Sequence, residues 1–437
     1  MKAAAFSFRN LPASIYLAVG LTVIGSVVYS VAFLTSSAEG VERFHDVARV
    51  RMFNIGCQYA EVFLYSLGVM ALARRYTGPA RPLAQTAAWL MFISLGIPFS
   101  NMVLSIIEPR DPAGAADLVG MVEGLVQLAA TILLTIAADA WRRVLPAAIL
   151  AILLHVTTYS FPIIGELITD AFAGDHTSLR IYYIFRSLLW GATMLFVAAA
   201  LAAGGRDQPP EPDRAASGFA IAHVSLIIRL VTAATLAVLG FAAAGPGVAK
   251  LILIGGPLVV IGTQIVLAIG ILRVDAAGLP GMPRFRLAVA AAGMFWFSSL
   301  QLEQVTVMLS QLWDGDLDRR DLDELQMFSV IGPIVAAISL ALIGSAIRTF
   351  ATTRGNQELA NSASSRTFAF VGLALGGIAL QAFMFDARTA SSLLVVALLA
   401  AAAGISALVI LAGLLKRAAE QINDEPGIPP ARIVSDS

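Results

Sequence analysis

Apolar blocks of about twenty residues recur along the whole chain, parted by short polar breaks, and that is the length of helix that crosses a bilayer core. The pattern predicts an all-α polytopic integral membrane protein with twelve transmembrane helices. The spans fall near 11–35, 53–73, 83–107, 117–138, 144–168, 180–203, 219–243, 251–272, 286–311, 327–349, 367–385 and 391–415. The block from Leu11 to Leu34 follows Lys2 and Arg9, as a signal sequence would. It is long enough to span and lacks a clear small-residue cleavage site, so it reads as a helix. Before the second span, and joined to it, Glu39 to Arg51 reads as an amphipathic piece on the outer surface. The segment GGRDQPPEPDRAASG at 204–218 is the one Pro/Gly/charge-rich break inside the chain. It parts a first six-helix half (1–203) from a second (219–417), and leaves a polar, Pro-containing tail at 418–437 that is expected to be disordered.

The second span carries a polar stripe. Asn54, Gln58, Glu61 and Tyr65 stand at i, i+4, i+7 and i+11, one face of an α-helix. Such a face cannot meet lipid; it must line a cavity or pack on other polar groups. Ser94, Asn101 and Ser105 share a face of span three, and Glu123 and Gln127 one of span four. His155, Tyr159, Pro162 and Glu166 share one of span five, and Ser299, Glu303, Thr306 and Ser310 one of span nine. Arg186 on span six and Arg229 on span seven complete the ionisable set. Each such residue is a functional candidate, because placing a charge at the middle of a span costs at least about 2.5–3.5 kcal/mol.

Composition agrees with the pattern. Of 437 residues 58% are apolar and 13% charged, against roughly 25% charged in soluble domains, and the mean hydropathy is +0.80. The formal net charge is zero and no basic tract is present, which argues against nucleic-acid binding. The single cysteine, Cys57, lies inside a predicted span, so neither a disulfide framework nor a thiolate metal site is expected. With the N-terminus inside, inner segments hold twice as many of the 29 Lys and Arg residues as outer ones. That bias places both termini in the cytoplasm of a bacterial-type inner membrane. On this orientation Glu123, Glu166, Arg186 and Glu303 share the outer half of the bilayer, with Glu61 and Arg229 nearer its centre.

Two readings fit these residues: an outward-facing polar cavity, or a buried ion-pair network that fixes helix packing. Pro162 would free a backbone carbonyl for coordinating an ion or solute. The four histidines do not suggest a haem. His45 and His176 fall in predicted outer loops, while His155 and His223 differ in depth by about 10 Å at 1.5 Å per residue. The acidic loop DGDLDRRDLDE at 314–324 resembles a calcium loop only superficially. Arg319 and Leu325 stand where an EF-hand needs Gly and Glu. No cofactor or metal is expected. A weak internal echo, MFISLGIPFSNMVLSIIE at 91–108 against MFWFSSLQLEQVTVMLSQLWD at 294–314, is offset as a six-plus-six repeat would be.

The entry to span two, Arg49-Val-Arg51-Met-Phe-Asn54, resembles the R-x-R-x-x-H entry to the second helix of heme–copper oxidase and nitric oxide reductase catalytic subunits. The basic turn after span two and the run GMPRFRLAVAAAGMFWF into span nine look similar too. The resemblance touches spans two to four and nine to ten. It implies a twelve-helix scaffold with both termini inside. Asn54 stands where the haem-ligand histidine would be, and span ten has no histidine. The resemblance therefore implies a relative without haem or copper, and no ligand carries over. Major facilitator transporters share the six-plus-six plan as architecture only. Their basic loop after span two includes an Asp that Ala73, Arg74 and Arg75 do not supply.

The expected function is a secondary transporter or solute-binding membrane protein working on a small solute or protons. Glu61 is then the coupling carboxylate, Glu123, Glu166 and Glu303 cavity acids, and Arg186 and Arg229 anion partners. His155, Tyr159, Asn54 and Gln58 would line the path. The alternative is a haem-less, non-catalytic subunit or assembly factor partnered with a respiratory complex. No motif favours an enzyme.

Overall fold

The computed structural model describes residues 8, 11–37, 44–76, 78–94, 112–139, 141–159, 176–204, 210–242, 246–314, 319–384 and 390–424. Those residues form twelve α-helices and no strand. The first six are α1 (Ala13–Ser37), α2 (Phe44–Ala73), α3 (Ala80–Ser94), α4 (Pro112–Ala137), α5 (Trp141–Tyr159) and α6 (His176–Gly204). The others are α7 (Pro212–Ala242), α8 (Pro246–Ala276), α9 (Arg284–Asp314), α10 (Arg319–Thr353), α11 (Gln357–Met384) and α12 (Ala390–Asp424). Seven of them, α1, α6, α7, α8, α10, α11 and α12, contain stretches long and apolar enough to cross a membrane. In α2 the central Asn54, Gln58 and Glu61 lower the hydropathy, and α3 is only 15 residues long.

Helix ends follow local chemistry. Proline opens α4, α7 and α8, where its missing N–H costs nothing. Asn356 caps α11, its Oδ1 accepting the Leu359 N–H at 3.0 Å. Gly78, Gly278 and Gly355 take positive φ in the turns after α2, α8 and α10, where a side chain would be strained.

Several boundaries differ from the sequence reading. From Phe44 the amphipathic piece 39–51 belongs to α2, so His45 is helical instead of lying in a loop. His176 likewise opens α6 instead of lying in a loop. The break at 204–218 is shorter than its composition suggested, because Pro212 starts α7 and Asp213 suits the positive end of the helix dipole. Residues 319–324 of the acidic stretch form the start of α10, with Asp321 in the first turn. The tail is helical to Asp424, against the expected disorder. Ala418, Ala419 and Ile422 are buried there, and the Asn356 amide donates to Gln421 Oε1 at 3.0 Å.

The chain divides into two compact units, Met1–Gln208 and Pro209–Ser437. Each holds six of the described helices, and within each every described helix packs on its neighbours in the series while the last returns to the first: α6 on α1, and α12 on α7. Contacts recede along one helix as they advance along the next. Gly68 of α2 meets Ile15 of α1, while Gly25 of α1 meets Cys57 of α2. In the second unit Ser298 pairs with Gln264 and Arg284 with Asp275. Neighbours in these pairs are therefore antiparallel. An even number of up-and-down helices can close a ring on antiparallel neighbours. Small side chains set the spacing, with Ala60, Ala84, Ala87, Ala222, Ala288 and Ala346 fully buried.

Candidate functional site

The first unit places Glu61 at a three-helix seam. It lies on α2 and is 5% exposed, facing α6, where Trp190 is 7% exposed. The Trp190 Nε1–H donates to Glu61 Oε1 at 2.8 Å. One turn on, the Tyr65 hydroxyl donates to the Met194 carbonyl at 3.1 Å, and Tyr76 donates to the Leu201 carbonyl at 2.9 Å. These contacts advance together on both helices, so α2 and α6 run parallel. Helix α1 closes the seam from the other side. Its Ser26 hydroxyl lies 2.6 Å from that of Ser187, and Thr22 packs at Met194. Thr22 and Arg186 both lie within electrostatic reach of the Glu61 carboxylate.

Much of the stripe on α2 meets protein. A Cβ added at Gly25 would stand 2.9 Å from both Asn54 Oδ1 and Cys57 Cβ, which shows how closely α1 covers that face. Gln58 is half-buried. Arg186 is buried on α6 with its guanidinium 5.2 Å from the Tyr183 ring centre. The described residues thus assemble Glu61, Trp190, Arg186 and Thr22 at one place. This cluster holds a carboxylate away from bulk solvent with an aromatic N–H fixed on it.

The second unit contains a half-open cavity of about 510 Å³, lined by all six of its described helices. Arg229 and Thr232 face it from α7, Gln301 from α9, and Phe370 from α11. Most remaining wall positions are apolar, many of them Ala or Gly, such as Gly256, Ala337, Ala374 and Gly404. The void follows from those small residues, which remove side-chain volume where six helices converge. Among the described residues, no acidic side chain pairs with Arg229.

Glu123 stands on α4, His155 and Tyr159 on α5, and Glu303 on α9, but their side chains lie outside the described residues. Glu166 and Pro162 fall in 160–175, and Asp316 and Asp318 in 315–318, also outside them. His223, half-buried on α7, has Nδ1 2.9 Å from the Ala412 carbonyl of α12, a packing role between helices. Among the described residues no three His, Cys, Asp or Glu side chains gather as a metal site requires.

Sequence reasoning passed over Trp190 and Gln301. Trp190 carried a faint signal, since an indole N–H inside a span needs an acceptor. Nothing local marked Gln301, whose partners depend on how six helices meet. Protein-family models, curated proteins and solved structures were all compared with this chain, and none matches it.

Proposed function

We propose that the chain is a secondary transporter or solute-binding protein of a bacterial-type inner membrane, with twelve spans and both termini cytoplasmic. The observation that supports it most is the cavity of about 510 Å³ bordered by α7 to α12 with a charged side chain in its wall. Its volume falls in the range of small-molecule sites, roughly 300–1,000 Å³. A packed structural bundle has no use for such a space, because each unfilled volume forfeits contacts. Glu61 acts as the coupling carboxylate of the first unit, held by Trp190 until a proton arrives or leaves. The test is native mass spectrometry of protein released from its own membrane. Wild type should carry a bound small molecule that Ala337→Phe, which places a ring in the cavity, lacks. Identical spectra for the two proteins would remove the cavity from the account.

Topology is tested separately. In a Cys57→Ser background, Asp316→Cys should react with an impermeant maleimide from the outer side of intact cells. Reaction only after the inner side is opened would invert the orientation.

A further inference from the structure

We infer that the second-unit cavity takes an organic monoanion, a carboxylate on an apolar body, with Arg229 as the group that grips the carboxylate. The inference rests on the solute-binding reading above and names the class of solute. The wall is built from one face of each helix. On α7, Arg229, Thr232, Ala233 and Leu236 follow the i, i+3, i+4, i+7 spacing. On α10, Pro333, Ala336, Ala337 and Leu340 do the same. A body that fits such walls must be apolar, since a second polar centre would lose its water without regaining hydrogen bonds.

The head group follows from the polar wall. A guanidinium keeps its charge in proteins, so Arg229 presents a permanent cation. No described carboxylate neutralises it. A cation left unpaired among apolar walls is costly, and an anion entering the cavity would offset that cost. One guanidinium offers two parallel N–H groups, the match for a single carboxylate. A phosphate dianion would keep one charge uncompensated, because the described wall supplies no second cation. Gln301 adds an amide whose Oε1 is buried without a hydrogen-bond partner. Its amide oxygen and nitrogen can exchange places, so it can either donate to the carboxylate or accept from a hydroxyl beside it. Thr232 supplies one more hydroxyl. Three polar groups among apolar faces is the usual make-up of a site that orients a small amphipathic ligand.

The test uses the full chain in zwitterionic phosphatidylcholine nanodiscs and isothermal titration with two probes, 4-phenylbutyrate and its neutral isostere 4-phenylbutyramide. The acid should bind saturably and the amide at least about tenfold more weakly, the usual worth of a charge-assisted hydrogen bond. Arg229→Gln should weaken the acid about tenfold to a hundredfold, and Ala337→Phe should abolish binding of both probes. The comparison of acid with amide on wild type stands even if Arg229→Gln does not fold. Equal binding of acid and amide, both lost in Ala337→Phe, would overturn the anion inference and leave the solute-binding reading intact. No saturable binding of either probe, or binding untouched by Ala337→Phe, would overturn both.

Discussion

Glu61→Leu should lower the stability of the protein by about 1–3 kcal/mol, while Glu61→Gln should stay within about 1 kcal/mol of wild type. The difference comes from Trp190. Its indole N–H is buried and donates to Glu61 Oε1 at 2.8 Å. Leucine removes the Glu61 acceptor, and losing the acceptor of a buried hydrogen bond costs about 1–3 kcal/mol. Glutamine keeps an acceptor oxygen at the same place, and the seam of α1, α2 and α6 can close round it. Thermal unfolding in detergent separates the two variants. Function should divide them differently. Glutamine cannot take up or release a proton, so Glu61→Gln should fold and yet lose any pH dependence of solute movement. If both variants are equally unstable, the hydrogen bond is not what holds the seam. If Glu61→Gln keeps the wild-type pH response, Glu61 is a packing group and not the coupling carboxylate.

Gly270→Leu should destabilise the second unit by about 1–3 kcal/mol, or more if α7 and α8 cannot part. A Cβ at Gly270 would stand 2.7 Å from the Gly218 carbonyl oxygen and 3.0 Å from the Ala222 nitrogen. A Cβ at Gly218 would meet the Gly270 oxygen at 2.6 Å. These are backbone atoms and cannot rotate aside. The same contact keeps Ser225 close enough to donate to the Thr263 carbonyl, so separation would break that bond too. Gly262 on the same helix is the control. Nothing lies within 4 Å of a Cβ added there, so Gly262→Ala should be neutral or stabilise by up to about 1 kcal/mol. Equal losses in both variants would show that α8 responds to glycine content and not to its contact with α7.

Much of the architecture was legible because bilayer length and hydropathy act locally. The segments that became α1, α6, α8 and α12 could be read from their apolar runs alone. Glu61 and Arg229 stood out for the same reason, as charges among apolar neighbours. What they face was not legible. The register that sets Trp190 against Glu61 depends on α2 and α6 lying parallel, more than a hundred residues apart in the chain. The cavity depends on Ala and Gly positions from five of the six lining helices converging at one place. An alanine in an apolar run looks the same whether it lets two helices touch or leaves a space. The tail to Asp424 was missed because its polar residues suggested solvent, while Gln421 in fact meets Asn356.

The most direct test of a solute-binding cavity is thiol accessibility at two adjacent positions of α11. Ala374 lines the cavity, whereas Leu375 is 54% exposed on the outside of its unit. In a Cys57→Ser background, each is changed to cysteine and treated in membranes with a small, water-soluble methanethiosulfonate. The account predicts that Ala374→Cys reacts readily and is protected by a bound solute, while Leu375→Cys, facing lipid, reacts slowly or not at all. An inert Ala374→Cys beside a reactive Leu375→Cys would contradict it.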